Sequence, residues 1–133
     1  MANNGYSKKE LIYQEWIKKA QDDELTCISI LKHRDAPPNG VCFMSQQMAE
    51  KSLKAFLVYT KKQFPKTHAL EYILSLCMDI ALSFNALKEE AIFLDSLYVE
   101  TRYPGDFPEF TWKDAEEAFA AAEKIKNFVM EKF

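Results

Sequence analysis

The sequence predicts an all-α protein, an up-and-down bundle of four to five antiparallel helices forming one domain over residues 1–133. Three observations carry that expectation. Apolar residues recur at three-, four- and seven-residue steps along most of the chain, the spacing that lines one face of a helix. Three Gly and five Pro are too few to punctuate an all-β sandwich or barrel, which needs a turn every roughly 8 to 12 residues. Apolar residues at 48 % and charged residues at 28 % suit a globular chain, and 133 residues supply one hydrophobic core but not two.

The first helix starts at Ser7, whose hydroxyl with the Glu10 carboxylate forms a capping-box pattern. Tyr13, Trp16, Ile17, Ala20, Cys27 and Leu31 give it one apolar stripe as far as about His33, and Asp35 to Gly40 breaks it. A second helix runs from about Val41 to Gln63, stopped by Pro65, because the residue before a proline avoids helical geometry. Its broad apolar arc includes Cys42, Ser45, Met48, Ala49, Leu53, Phe56 and Tyr59, with Gln46, Gln47, Glu50, Lys51, Lys54 and Lys61 opposite. Phe43, Leu57 and Val58 interrupt the polar side, so this helix is expected to touch protein on two sides, against its own core and against another helix or a second subunit.

Thr67 is a candidate cap for a third helix from His68 to about Met78. A looser stretch from Asp79 to Phe84 leads to a fourth helix, about Asn85 to Thr101, with a main stripe at Leu87, Ala91, Leu94, Leu97 and Tyr98 and a second at Ile92 and Val99. Pro104 to Pro108 is a strong breaker. Thr111 and Asp114 then open a fifth helix with Ala115, Ala118, Phe119, Ala122, Ile125 and Val129 on one face. The doubled apolar faces make Phe43, Leu57, Val58, Ile92 and Val99 the candidate dimer interface.

Composition also excludes function classes. A net charge of −3 opposes the many phosphate contacts of non-specific nucleic-acid binding, and no DNA partner is expected. No signal-peptide core precedes the first helix and the longest apolar run, Ala118 to Ala122, is far too short to span a bilayer; a cytosolic chain with no membrane partner is expected. Cys27, Cys42 and Cys77 have neither disulfide nor zinc spacing and are read as small packing residues. His33 and His68 make no metal site without clustered carboxylates, so neither metal nor cofactor is expected. Phosphate loops, hydrolase elbows and zinc-protease motifs are absent from the sequence.

Candidate binding residues remain. Gln47 with Lys51 and Glu50 with Lys54 are spaced to pair along the second helix, and Lys54, Lys61 and Lys62 form a modest anion-attracting strip. His68, at a helix start, either donates to an anion or packs against a neighbouring helix. Arg102, before Tyr103 and Pro104, either stabilises a helix end or engages a phosphate or carboxylate with its fork of donors.

The string Cys42-Phe43-Met44-Ser45-Gln46-Gln47-Met48-Ala49-Glu50-Lys51-Ser52-Leu53-Lys54-Ala55-Phe56-Leu57 resembles the signature helix of the higher eukaryotes and prokaryotes nucleotide-binding (HEPN) domain family. Trp16, Ala20 and Asp23 resemble the family's first helix, Thr67-His68-Ala69-Leu70 its third-helix start, and Arg102-Tyr103-Pro104 its fourth-helix terminus. The resemblance implies a helical bundle that homodimerises and, as a partner, a minimal nucleotidyltransferase acting with it in a toxin–antitoxin-like system. A nucleotide, RNA or that partner is expected to bind through the candidates Gln47, Glu50, Lys51, Lys54, His68, Arg102 and Tyr103. Many relatives are metal-independent RNases with an Arg-x(4 to 6)-His motif at the Arg102 position. No His occurs between Tyr103 and Phe110, and Met44 stands where the family often has His, so the leading expectation is a non-catalytic binding protein. The rival is an unconventional RNase that uses Arg102 for phosphate charge and Tyr103 or His68 for proton transfer.

Overall fold

The computed structural model describes residues 8–98 and 109–133. They form five α-helices, α1 (Lys8–His33), α2 (Pro38–Tyr59), α3 (Leu70–Ile80), α4 (Lys88–Leu97) and α5 (Trp112–Met130), with a 3₁₀ turn at Leu82–Leu87 and no strand among the described residues. The all-α bundle expected from periodicity is the observed fold. No helix among the described residues is long and apolar enough to cross a membrane.

The helix stops follow local backbone chemistry. Arg34 ends α1 with a left-handed φ of 50°, and its N–H bonds the Ile30 carbonyl at 2.7 Å. A non-glycine residue is strained there. Its guanidinium lies 3.2 Å from Glu116 and 4.7 Å over the Trp112 ring, which ties the end of α1 to the start of α5. Pro38 occupies the first turn of α2, where its missing N–H costs nothing. That helix ends at Tyr59, short of the expected Gln63. The cause is a Schellman stop. Lys61 takes φ 65° and donates to Val58, and Lys62 donates to Leu57 at 2.9 Å, closing both turns well before Pro65 acts.

α3 also departs from expectation. Thr67 does not cap it; its hydroxyl accepts only from Ala69 N–H at 3.2 Å. Asp95, from the end of α4, accepts from Leu70 N–H at 2.8 Å and Glu71 N–H at 3.0 Å. This cap comes from a distant residue and no local pattern announces it. The fourth helix is Lys88–Leu97, with Tyr98 extended; its expected end at Thr101 lies outside the described residues. α5 starts with the expected capping box, Asp114 N–H to Thr111 Oγ1 at 3.1 Å and Thr111 N–H to Asp114 Oδ2 at 2.9 Å.

Pairings fix the helix directions. Cys27 meets Ser45, Asp23 meets Lys51 and Tyr13 meets Tyr59, so α1 runs antiparallel to α2. Cross-contacts of Gln46 with His68, Leu53 with Cys77 and Lys62 with Asp79 show that α3 runs in the same direction as α2. The link over residues 60–69 therefore climbs back along α2, so that α2 and α3 are parallel to each other instead of antiparallel.

α2 packs against α1, α3, α4 and α5, which makes it the central helix. Met48, Leu53 and Leu57 on it are fully buried, with Leu70, Ile73, Phe84, Leu87, Leu94 and Ile125 from its neighbours. Phe84 bridges Phe56 and Phe128 with ring centroids 4.6 and 5.0 Å away. Ala115, Ala118 and Ala122 let α5 come close to the core. The second apolar side of α2 is thus covered largely by its own chain. Leu57, expected at a dimer interface, is fully buried in the core, whereas Phe43 and Ile92 are exposed and Val58 is half-buried. Val99 lies outside the described residues.

The three cysteines are buried and free, as packing residues should be; burial pushes the thiols of Cys27 and Cys42 up to about 11 and that of Cys77 to about 12.

Where α5 meets α1, burial together with a hydrogen bond to Glu24 raises the Glu123 carboxyl from its usual 4.5 to about 7. Lys126, 3.1 Å from Glu24, is the counter-charge. A raised folded-state value means that the protonated carboxyl favours the fold. This stabilisation is complete below about pH 4.5 and is lost as pH rises through about 7. In urea denaturation Glu123→Gln should match the wild type at pH 4.5 and exceed it at pH 8. The half-exposed position limits the difference to on the order of 1 kcal/mol. Equal stability of the two proteins at both pH values would show that folding does not raise the Glu123 carboxyl.

Candidate functional site

The polar side of α2 is not a solvated face. Gln46, Glu50 and Lys54, spaced one turn apart, are 1 %, 5 % and 7 % exposed. They form a buried rail that holds the returning link. Gln46 Nε2 donates to the His68 carbonyl at 2.7 Å and Lys54 Nζ donates to the Thr67 carbonyl at 2.9 Å. An irregular segment packed on a helix has carbonyls with no regular partner, and these two donors satisfy them.

Glu50 joins the rail. Its Oε2 accepts from Lys54 Nζ at 2.8 Å and its Oε1 lies 2.9 Å from His68 Nδ1. The Lys54 ammonium also sits 5.8 Å from the Trp16 ring centroid and 5.7 Å from that of Phe64, so two aromatic faces help to replace its lost water. The expected Glu50–Lys54 pair forms, but inside the protein. The expected Gln47–Lys51 pair does not. Gln47 Nε2 donates to Gln46 Oε1 at 2.9 Å, and Lys51 crosses to Asp23 of α1 at 2.7 Å. Nor do Lys54, Lys61 and Lys62 make an anion-attracting strip, because Lys54 is buried, Lys61 sits in the left-handed stop and Lys62 faces Asp79 at 3.8 Å.

His68 is the point at which this interior chemistry reaches solvent. Its side chain is half-exposed, and its ring stacks on Tyr98 with centroids 5.8 Å apart at 23°. Lys66, Thr67, Ala69 and Asp95 join these two rings around an open cleft of about 510 Å³. Both Asp95 oxygens are committed to the start of α3, which leaves the imidazole, Lys66, Thr67 and the Tyr98 hydroxyl as the polar side-chain groups able to meet a ligand. Because the Glu50 oxygen accepts, Nδ1 carries hydrogen and Nε2 is left to bind or exchange a proton. No group of three or more His, Cys, Asp or Glu able to hold a metal occurs among the described residues.

Of the expected site residues, Glu50, Lys54 and His68 converge; Gln47 and Lys51 flank them with partners of their own. Arg102 and Tyr103 lie outside the described residues. Sequence reasoning missed Asp95 and Tyr98 as cleft residues: Tyr98 was read into the apolar stripe of the fourth helix, and Asp95 was not singled out. Asp23 carried a signal, seven positions after Trp16 on the stripe that faces α2.

Removing one member of a buried ion pair strands the other. Lys54→Met should therefore destabilise the protein by about 3 kcal/mol, and the double variant Glu50→Gln/Lys54→Met by less than the sum of its single changes. Strict additivity in chemical denaturation would mean that the two side chains do not act together.

Comparison with known proteins agrees with the helical fold. A family model described as the HEPN domain matches residues 13–132. The crystal structure of an archaeal HEPN homologue superposes with a TM-score of 0.71 at 28 % sequence identity, covering 90 % of this chain and 96 % of the homologue. A search of curated proteins finds no match. Over residues 13–132, from α1 through α5, the chain belongs to the HEPN domain family.

Proposed function

We propose that this HEPN-domain chain is a non-catalytic binding protein, homodimeric in solution, which takes a nucleotide at the His68–Tyr98 cleft and pairs with a minimal nucleotidyltransferase in a toxin–antitoxin-like system. The observation that supports the reading is the cleft itself: a half-exposed imidazole held by a buried carboxylate, stacked on an aromatic ring, with a lysine and a threonine beside it. Aromatic faces suit nucleobases, and the lysine with the imidazole suits phosphate oxygens. Arg102, four positions beyond Tyr98 in the sequence, adds a further phosphate-binding candidate, with Tyr103 next to it. Phe43 and Ile92 are the exposed apolar residues for contact between copies.

A second reading is favoured by one specific geometry. A carboxylate that fixes an imidazole through Nδ1 and leaves Nε2 for the reacting group is an arrangement used for proton transfer. Combined with the Arg102 guanidinium, it describes a metal-independent RNase that lacks the usual motif.

Thermal melting with millimolar AMP, GMP and ATP tests the binding reading. Ligand at one hundred times its dissociation constant adds about 2.7 kcal/mol of stability, a rise in Tm of several degrees, and Tyr98→Ala and Arg102→Ala should abolish that rise. No rise with any nucleotide, together with no nucleotidyltransferase retained in affinity purification from the source cell, would overturn it. Incubation with RNA in chelator separates the second reading, which requires cleavage that disappears in His68→Ala and Arg102→Ala.

A further inference from the structure

A neutral His68 ring offers a phosphate the wrong group. Its Nδ1 hydrogen is held by the buried Glu50 at 2.9 Å, and the other Glu50 oxygen accepts from Lys54 Nζ at 2.8 Å, so the charges behind the ring already cancel as a pair. Nε2 has no partner among the described residues, and on a neutral ring it presents a lone pair, which repels phosphate oxygens. In front of the ring the charged groups are Lys66 of the link and Asp95 of α4, with the Thr67 and Tyr98 hydroxyls beside them. Asp95 is spent on the Leu70 and Glu71 N–H groups, and the Glu71 side chain, in the first turn of α3, does not line the cleft. One free cation, Lys66, therefore faces the ligand, whereas a phosphate monoester carries a charge of about −2.

We propose that the cleft takes a phosphate monoester together with one proton, which passes from solvent to His68 Nε2 and turns that lone pair into a donor. The proposal rests on the binding reading above and adds what the phosphoryl group brings with it. Lys66 supplies one positive charge and the imidazolium a second, which matches the charge of the ligand. Because Glu50 holds Nδ1, the incoming proton has one place to go, the nitrogen on the open side. Glu50 also stands as a counter-charge behind the charged ring. A proton consumed on binding makes affinity fall as pH rises, by the same linkage that ties stability to pH.

The test uses the full chain and AMP in isothermal titration calorimetry. Affinity should fall by about fivefold from pH 7 to pH 8.5, a range in which an ordinary lysine, phenol or phosphate monoester keeps its charge and an imidazole loses its own. Adenosine, which lacks the phosphoryl group, should show no such dependence. His68→Gln retains a donor for Glu50 but takes no proton, so its AMP affinity should be the same at both pH values. Two-bond proton–nitrogen NMR of the wild type at pH 8 needs no variant, and it should show Nε2 gaining a hydrogen when AMP is added. Equal AMP affinity at both pH values, the same fall with adenosine or in His68→Gln, or an Nε2 that stays bare in the complex would each overturn the proton-linked site and leave nucleotide binding standing. No binding of AMP at millimolar concentration at either pH would remove the binding reading and this proposal together.

Discussion

The fold depends on a buried carboxylate with two cationic or hydrogen-bearing neighbours. Glu50 lies between Lys54 and His68 on the helix that touches every other helix. A chain that ends α2 at a left-handed Lys61 and then returns along the same helix presents unpaired carbonyls to the interior. Gln46 and Lys54 meet those carbonyls, and Glu50 neutralises Lys54 while fixing His68. The polar stripe thus serves the irregular link as the apolar stripes serve the helices. Replacing it with hydrocarbon would leave backbone groups unsatisfied, which costs more per group than a helix–helix contact returns.

This arrangement connects structure to function through His68. One imidazole nitrogen faces the interior and is set by Glu50, while the ring borders an open cleft beside Tyr98. Rigidity on one side and access on the other is what a binding or proton-transferring group needs. Asp95 strengthens the coupling. By capping α3 from the end of α4, it fixes the positions of Thr67 to Leu70 relative to Tyr98, so the cleft is assembled from segments that hold one another.

Helix number and type were legible in the sequence because 3.6-residue periodicity and the Thr111–Asp114 box are local signals. The stop at Lys61, the cap from Asp95 and the course of the link were not. The first is a left-handed conformation in a residue that gives no glycine signal; the others depend on contacts between distant positions. The same limit governs the site. Spacing paired Glu50 with Lys54 correctly, but a helical wheel reads charged residues as solvated, and only the returning link makes them interior. Leu57 was misread for the complementary reason: among polar neighbours it looked like a surface residue, yet those neighbours are themselves buried.

The hydrogen position on His68 tests the Glu50 rail most directly. Two-bond proton–nitrogen NMR at pH 8 should find His68 as a single tautomer with hydrogen on Nδ1, held against Glu50. A His68 ring protonated on Nε2, or averaging freely between both forms, would contradict the rail as the interaction that organises this protein.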